Sequence, residues 1–221
     1  MKHKAFTMIE LIMVIVVLGI LASLAIPRMK RDLHQEAADN ILSAIRYTQH
    51  LALIDDKHKF NKARWQRRFW GIYFTTSTSN PLNNFYVIAS DNNMSGDYTK
   101  DECAIDPANG KYMYNAGGAT TTIDSDESPN IFIGKKYGIN NITFEGCNSP
   151  NGGIGNSKYI GFDHLGRPHV KFLNSNQPDN ASYMTSDCNL TFSFSNGAFD
   201  PFKIIITKET GYAYIADQPD S

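Results

Sequence analysis

Between Lys57 and Trp70, six cations (Lys57, Lys59, Lys62, Arg64, Arg67 and Arg68) interleave with four aromatics (Phe60, Trp65, Phe69 and Trp70). That is the composition of a surface that tracks phosphates and stacks on bases, so DNA contact is one chemistry these residues could do. The more ordinary alternative sends Trp65, Phe69 and Trp70 into a core and leaves the cations to solvate a connection between elements. Asp124-Ser125-Asp126-Glu127 gathers three carboxylates. It lacks the glycine and the ligand spacing of a calcium loop, so a solvated acidic loop is expected there. Asp163-His164 precedes Gly166 and Pro168, which points to turn chemistry. No nucleophile elbow and no phosphate-binding glycine loop occurs, so neither catalysis nor a cofactor is expected. Cys103, Cys147 and Cys188 have no close CxxC spacing, so no metal is expected at them. They permit three disulfide pairings, each leaving one thiol over. Cys147 with Cys188 is favoured, because each sits beside a strand-like run. The last candidate is Glu10, a single carboxylate at the edge of the uncharged run Leu11–Ile26. A carboxylate so close to hydrocarbon costs a few kcal/mol and needs a partner or a task.

The elements that must position these residues read as one long helix and a β-rich head, an α+β chain. The apolar run, taken from residue 6 to residue 26, has roughly the 20 residues a membrane helix needs. Beyond Pro27 the pattern turns amphipathic: Leu33, Ala37, Ile41, Ile45, Thr48 and Ala52 recur every three to four residues, the stripe of a helix resting on a core. The expected helix is therefore bent, with a transmembrane half and an amphipathic half. From Asp55 onward, short strands are expected at Gly71–Phe74, Phe85–Ala89, Ile131–Ile133, Ile142–Phe144, Tyr159–Phe162, Val170–Leu173, Leu190–Phe194, Ile204–Thr207 and Tyr212–Ile215. Asn/Gly/Ser/Asp clusters such as Ser90–Gly96 separate them as loops.

The chain has 221 residues, enough for one core of moderate size. Its formal charge of -1 hides an asymmetry, with 12 Lys/Arg against 6 Asp/Glu in residues 1–70 and 9 against 16 in residues 71–221. Lys2 and Lys4 suit the cytoplasmic side, which sends the head across the membrane; Arg28, Lys30 and Arg31 follow the span and oppose that orientation. An oxidising compartment there suits a disulfide.

Phe6-Thr7-Met8-Ile9-Glu10-Leu11, preceded by a basic leader and followed by an apolar run to Ala25-Ile26-Pro27, resembles the N-terminus of type IV pilins and pseudopilins. The resemblance implies cleavage by prepilin peptidase between Ala5 and Phe6, then N-methylation of the new Phe6 amine. Ala5 stands where that family usually has Gly. It also implies that Glu10 meets the Phe6 amine of a neighbouring subunit and sets the register of a filament, a well-attested use of a buried charge pair. The implied organisation is a leader at 1–5, a pilin helix at 6–56 (transmembrane at 6–26) and a globular head at 57–221. Ala44-Ile45-Arg46-Tyr47-Thr48-Gln49, Trp65 through Gly71-Ile72-Tyr73-Phe74, Phe162-Asp163-His164-Leu165-Gly166-Arg167-Pro168 and Thr210-Gly211-Tyr212 resemble, in that order, the GspH/FimT group of minor pseudopilins and pilins. That group often has Thr-Gly-Arg near its end, where this chain has Tyr212. The implied partners are other pilins or pseudopilins, the peptidase and methyltransferase, an inner-membrane assembly platform, the lipid bilayer and, through FimT-like DNA-uptake components, DNA. The implied location is the inner membrane, single-pass, with the head in the periplasm.

Overall fold

The computed structural model describes residues 7–59, 61–76, 80, 83–116, 122–155, 157–174, 176–197 and 199–218, with backbone alone at 23–32 and 196. Ala5 and Phe6 lie outside these residues, as do Lys2 and Lys4. The chain divides into two compact units, residues 1–36 and 37–221.

Helix α1 spans Met8–Ile54, and Pro27 lies inside it without ending it. In the first unit its side chains from Met8 to Leu21 are open, and the large apolar ones are each about half exposed or more. Among the described residues no helix is long and apolar enough to cross a membrane. The expected span at 6–26 includes Phe6 and the side chains of 23–26, which lie outside the description.

In the second unit α1 turns one stripe inward. Ala37, Ile41, Ile45, Thr48 and Ala52 are all buried, at the three-to-four-residue interval the sequence predicts. Thr48 closes its buried hydroxyl onto the Ala44 carbonyl at 2.8 Å, which satisfies a polar group that burial would otherwise penalise.

The head holds two four-stranded antiparallel sheets. The first has the order β2-β1-β6-β7, from β1 (Trp70–Thr75), β2 (Phe85–Ala89), β6 (Tyr159–Phe162) and β7 (Pro168–His169). The second has the order β10-β9-β8-β3, from β3 (Ile139–Glu145), β8 (Cys188–Phe194), β9 (Phe202–Ile206) and β10 (Ala213–Ile215). A small hairpin joins β4 (Asn148–Ser149) and β5 (Gly152–Gly153). β8 alternates buried and half-buried residues along its length, as a one-faced strand must. Phe74 of the first sheet meets Phe144 and Phe192 of the second at ring separations of 6.0 and 5.8 Å, within the range of favourable aromatic pairs.

Two expected strands are absent. Ile131–Ile133 is buried but helical: a turn at Pro129–Ile131 leads into α2 (Ile133–Tyr137). Pro129 stands at the start of the turn, the Ser128 side chain accepts from the Asn130 amide, and Gly138 ends α2 with φ 78°. Cap chemistry thus outweighs a three-residue apolar run. Val170–Leu173 is a turn, with Lys171 at φ 59° and the Asn174 amide bonded to the Lys171 carbonyl. Phe172 nevertheless packs inward so closely over Gly161 that a side chain there would strike its ring.

Candidate functional site

At the start of α1, Thr7 and Glu10 form a reciprocal pair. The Glu10 amide donates to Thr7 Oγ1 (3.3 Å), while Glu10 Oε2 accepts from the Thr7 amide and hydroxyl (both 3.4 Å). This is a capping box, which satisfies orphan helix amides and places a negative charge at the positive end of the helix dipole. Within a single chain the carboxylate therefore has local donors. The processing residues Ala5 and Phe6 are outside the described residues.

The basic segment is drawn mostly into the head. Trp65 and Phe69 are buried, and Arg67 is 7% exposed, donating to the Met94 carbonyl and to Asn176 Oδ1. Lys57 pairs with Asp55 at 2.6 Å and lies over the Trp70 ring, whose Nε1 also donates to Asp55. Burial alone would raise the Asp55 carboxyl, but the bonds from Lys57 and Trp70 hold it below the usual range. Of the six cations proposed for DNA contact, only Lys59 and Lys62 are exposed; Lys57, Arg64 and Arg68 are half-buried. Arg67 is turned inward, and Trp65 and Phe69 are only 4% and 2% exposed.

Those aromatics line a cleft of about 220 Å³ together with His58, Asp163, His164, Arg167, His169 and Tyr183. Asp163 organises it. Its Oδ1 accepts from the Leu165 and Arg167 amides (both 2.9 Å), and its Oδ2 accepts from the Arg167 guanidinium (2.7 and 2.8 Å). His169 Nε2 lies 3.3 Å from the same oxygen, and its Nδ1 lies 2.9 Å from Ser182 Oγ. Burial opposes ionisation of Asp163, yet the bonds from His169 and Arg167 hold its carboxyl far below the ordinary range. The sequence shows no sign of this Asp–His–Ser chain, because the three residues are spread from 163 to 182. Its hydroxyl is fully buried, so the arrangement clips β7 to the neighbouring turn and presents no nucleophile to a substrate. His58 stacks on His164 at 5.4 Å and meets Trp65 edge-on at 4.0 Å. Burial and the neighbouring His164 lower its pKa.

Three of the sequence blocks singled out above meet at the last turns of α1. Gln49 Nε2 donates to the carbonyls of Gly166 and Thr210, both at 2.8 Å. Arg46 donates to the Ala213 carbonyl (3.2 and 2.8 Å) and lies 5.6 Å from the Tyr212 ring centre. Gly211, at φ 67°, brings its backbone so close to the Gly166 carbonyl that no side chain would fit.

Cys147, just after β3, is bonded to Cys188, the first residue of β8. Cys103 is free and buried. Burial, with the charges of Glu102 and Asp101, pushes its thiol up to about 12, so it is an inert thiol.

No curated protein and no solved structure matches the chain. Residues 1–26 match the family model of the prokaryotic N-terminal methylation motif. That stretch holds Ala5, Phe6 and the Thr7–Glu10 box, and it supports processing by prepilin peptidase and assembly with other pilins. Over these residues the chain is similar to the N-termini of type IV pilins and pseudopilins.

Proposed function

We propose that the protein is a minor pseudopilin-like structural subunit of a type II secretion or type IV pilus-type filament. It is cut after Ala5, N-methylated at Phe6, held in the inner membrane by its apolar helix and then drawn into the filament. It works by assembly, without turnover. The observation that carries this reading is the methylation motif at residues 1–26, placed at the head of a helix whose later turns carry an antiparallel β head. The minor-subunit assignment draws further support from Arg46 and Gln49 meeting the Gly166 and Thr210–Ala213 segments, since those blocks are the ones that resemble the GspH/FimT group. Intact-mass measurement of membrane-purified protein tests the proposal: residues 1–5 should be missing and one methyl group added. An unprocessed N-terminus overturns it.

The alternative, a DNA-uptake minor pilin, is favoured by the exposure of Lys59 and Lys62 beside half-buried Arg64. With Trp65 and Phe69 buried, such contact would involve phosphates alone and would weaken steeply with salt. Duplex binding that falls when Lys59 and Lys62 are changed to Ala supports this alternative. Binding that survives those changes, or none at low salt, rejects it.

A further inference from the structure

The segment after β2 is a loop of twelve residues, Asp91 to Glu102, closed by the Ala89–Cys103 bridge and the bond from the Ser90 amide to the Glu102 carbonyl (3.1 Å). Counted from Asp91, an oxygen-bearing residue stands at position 1 (Asp91), 3 (Asn93), 5 (Ser95), 9 (Thr99) and 12 (Glu102), and Gly96 stands at position 6. Those are the ligand positions of a calcium loop, in which position 7 contributes its carbonyl, position 9 commonly acts through water and the last Glu binds with both oxygens. Ser95 supplies a hydroxyl where Asp or Asn is more usual.

The backbone follows the spacing. Gly96 has φ 98° and makes the sharp turn that position 6 requires, and Met94 before it has φ 60°. Asp91 is folded into the loop, with Oδ1 accepting from the Ser95 amide (3.0 Å) and Oδ2 from the Gly96 amide (2.7 Å). Ser95 Oγ lies 3.0 Å from the Asp97 carbonyl, so the oxygens of positions 5 and 7 are adjacent. At the far end a short turn, Lys100–Glu102, is capped by Thr99. The Glu102 carboxylate reaches back across the loop to the Asn93 amide (3.0 Å).

The charges are arranged for a cation that the protein itself does not supply. Asp91 is 1% and Glu102 6% exposed. Among the described residues no Lys, Arg or His forms an ion pair with either carboxylate. Lys100 turns to Asp124, Asp126 and Glu127, and Arg67 meets the loop at the Met94 carbonyl. Two buried like charges without a counter-ion are costly. Among the described residues no group of three or more His, Cys, Asp and Glu side chains gathers that could hold a metal ion. Around one carboxylate pair, the loop instead offers amide, hydroxyl and carbonyl oxygens, the hard ligand set that suits calcium.

We propose that Asp91–Glu102 is a calcium-binding loop, coordinating the ion through Asp91, Asn93, Ser95, the Asp97 carbonyl and Glu102, with Thr99 acting through a water. Binding redirects the Glu102 carboxylate from the Asn93 and Thr99 amides to the ion, and ties together the two ends of the loop. Tyr98 carries that stiffening to β1, where its ring lies 4.8 Å from that of Tyr73. With only two coordinating carboxylates, the affinity belongs with weak extracellular modules, at a Kd of about 10⁻⁴–10⁻³ M. The proposal does not depend on the filament reading.

The test uses the full chain in detergent, stripped with EDTA, with terbium as a luminescent probe excited through tyrosine. The expected result is a saturable signal that calcium displaces in that affinity range and magnesium displaces at least about tenfold more weakly, because magnesium demands a tighter octahedron. Glu102→Gln should weaken calcium binding at least tenfold. Ser95→Ala, which leaves both carboxylates and the Thr99 cap in place, should weaken it severalfold with an unchanged melting curve in EDTA. Asp124→Asn with Asp126→Asn should leave it unchanged. The proposal is overturned by absence of saturable binding up to about 10 mM calcium, by equal displacement by magnesium, by binding that Ser95→Ala leaves intact, or by binding that follows the 124–126 changes.

Discussion

The two compact units place their apolar side chains in opposite ways. From Met8 to Leu21 the large apolar residues of α1 are between 47% and 82% exposed, whereas Ile41, Ile45, Ile72, Val87, Phe162, Phe172 and Phe192 in the second unit are at 0%. The second unit buries its own surface and ties its strands with a disulfide. The first does not, and Glu10 near its start accepts hydrogen bonds from Thr7. A helix apolar on all sides has no face made for water, so its stabilising surroundings must come from outside the chain. One unit has a core of its own, and the other carries its described apolar side chains in the open.

Substitutions separate the two, ranked by their effect on unfolding of the head. Phe172→Ala removes a buried ring packed over Gly161 and should cost about 3–5 kcal/mol, read as a shift of the denaturant midpoint. A cost below about 1 kcal/mol would place the core elsewhere. Replacing Cys147 and Cys188 by Ala releases a link across a sequence separation of 41, with an expected loss of about 2–4 kcal/mol. Equal melting of the oxidised protein and the variant would show that the sheet carries itself.

Asp163→Asn should cost about 1–3 kcal/mol by breaking the bonds to Arg167 and His169. It should also change the response to acid. The folded-state pKa of Asp163 lies below its unfolded value, so its contribution is complete above about pH 4 and fades as pH falls toward the folded value. Melting curves should show the variant losing less stability than the parent over that acid interval, and parallel profiles would contradict the cleft's electrostatics. Glu10→Ala, in the other unit, should leave head unfolding within about 0.5 kcal/mol of the parent while removing the protein from isolated filaments. A large shift in the head's midpoint would erase the contrast between the units.

Much of the head is readable from local pattern. β2 and β6 are bounded as the runs Phe85–Ala89 and Tyr159–Phe162 indicate, and the stripe at Ala37, Ile41, Ile45, Thr48 and Ala52 faces inward. Errors arise where a short apolar run competes with a stronger local signal. Ser128-Pro129 and Gly138 turn Ile131–Ile133 into helix, and a left-handed Lys171 turns Val170–Leu173 into a bend. The Asp163–His169–Ser182 chain has no sequence signature, because a turn, β7 and a separate segment bring it together. The Asp91–Glu102 spacing is written in the sequence, but reading Ser90–Gly96 as a loop of Asn and Gly cuts it before Glu102 comes into register.

By itself the sequence determines two local features: the motif from Phe6 to Leu11, with Glu10 at the edge of an uncharged run, and later turns with a helical stripe. Both are local signals, set by side chains within a few turns of one another. The tertiary structure alone decides which residues of the Lys57–Trp70 segment face water. It also decides which carboxylates end beside each other without a cation. Those outcomes depend on burial and on contacts between distant segments, which no local spacing encodes.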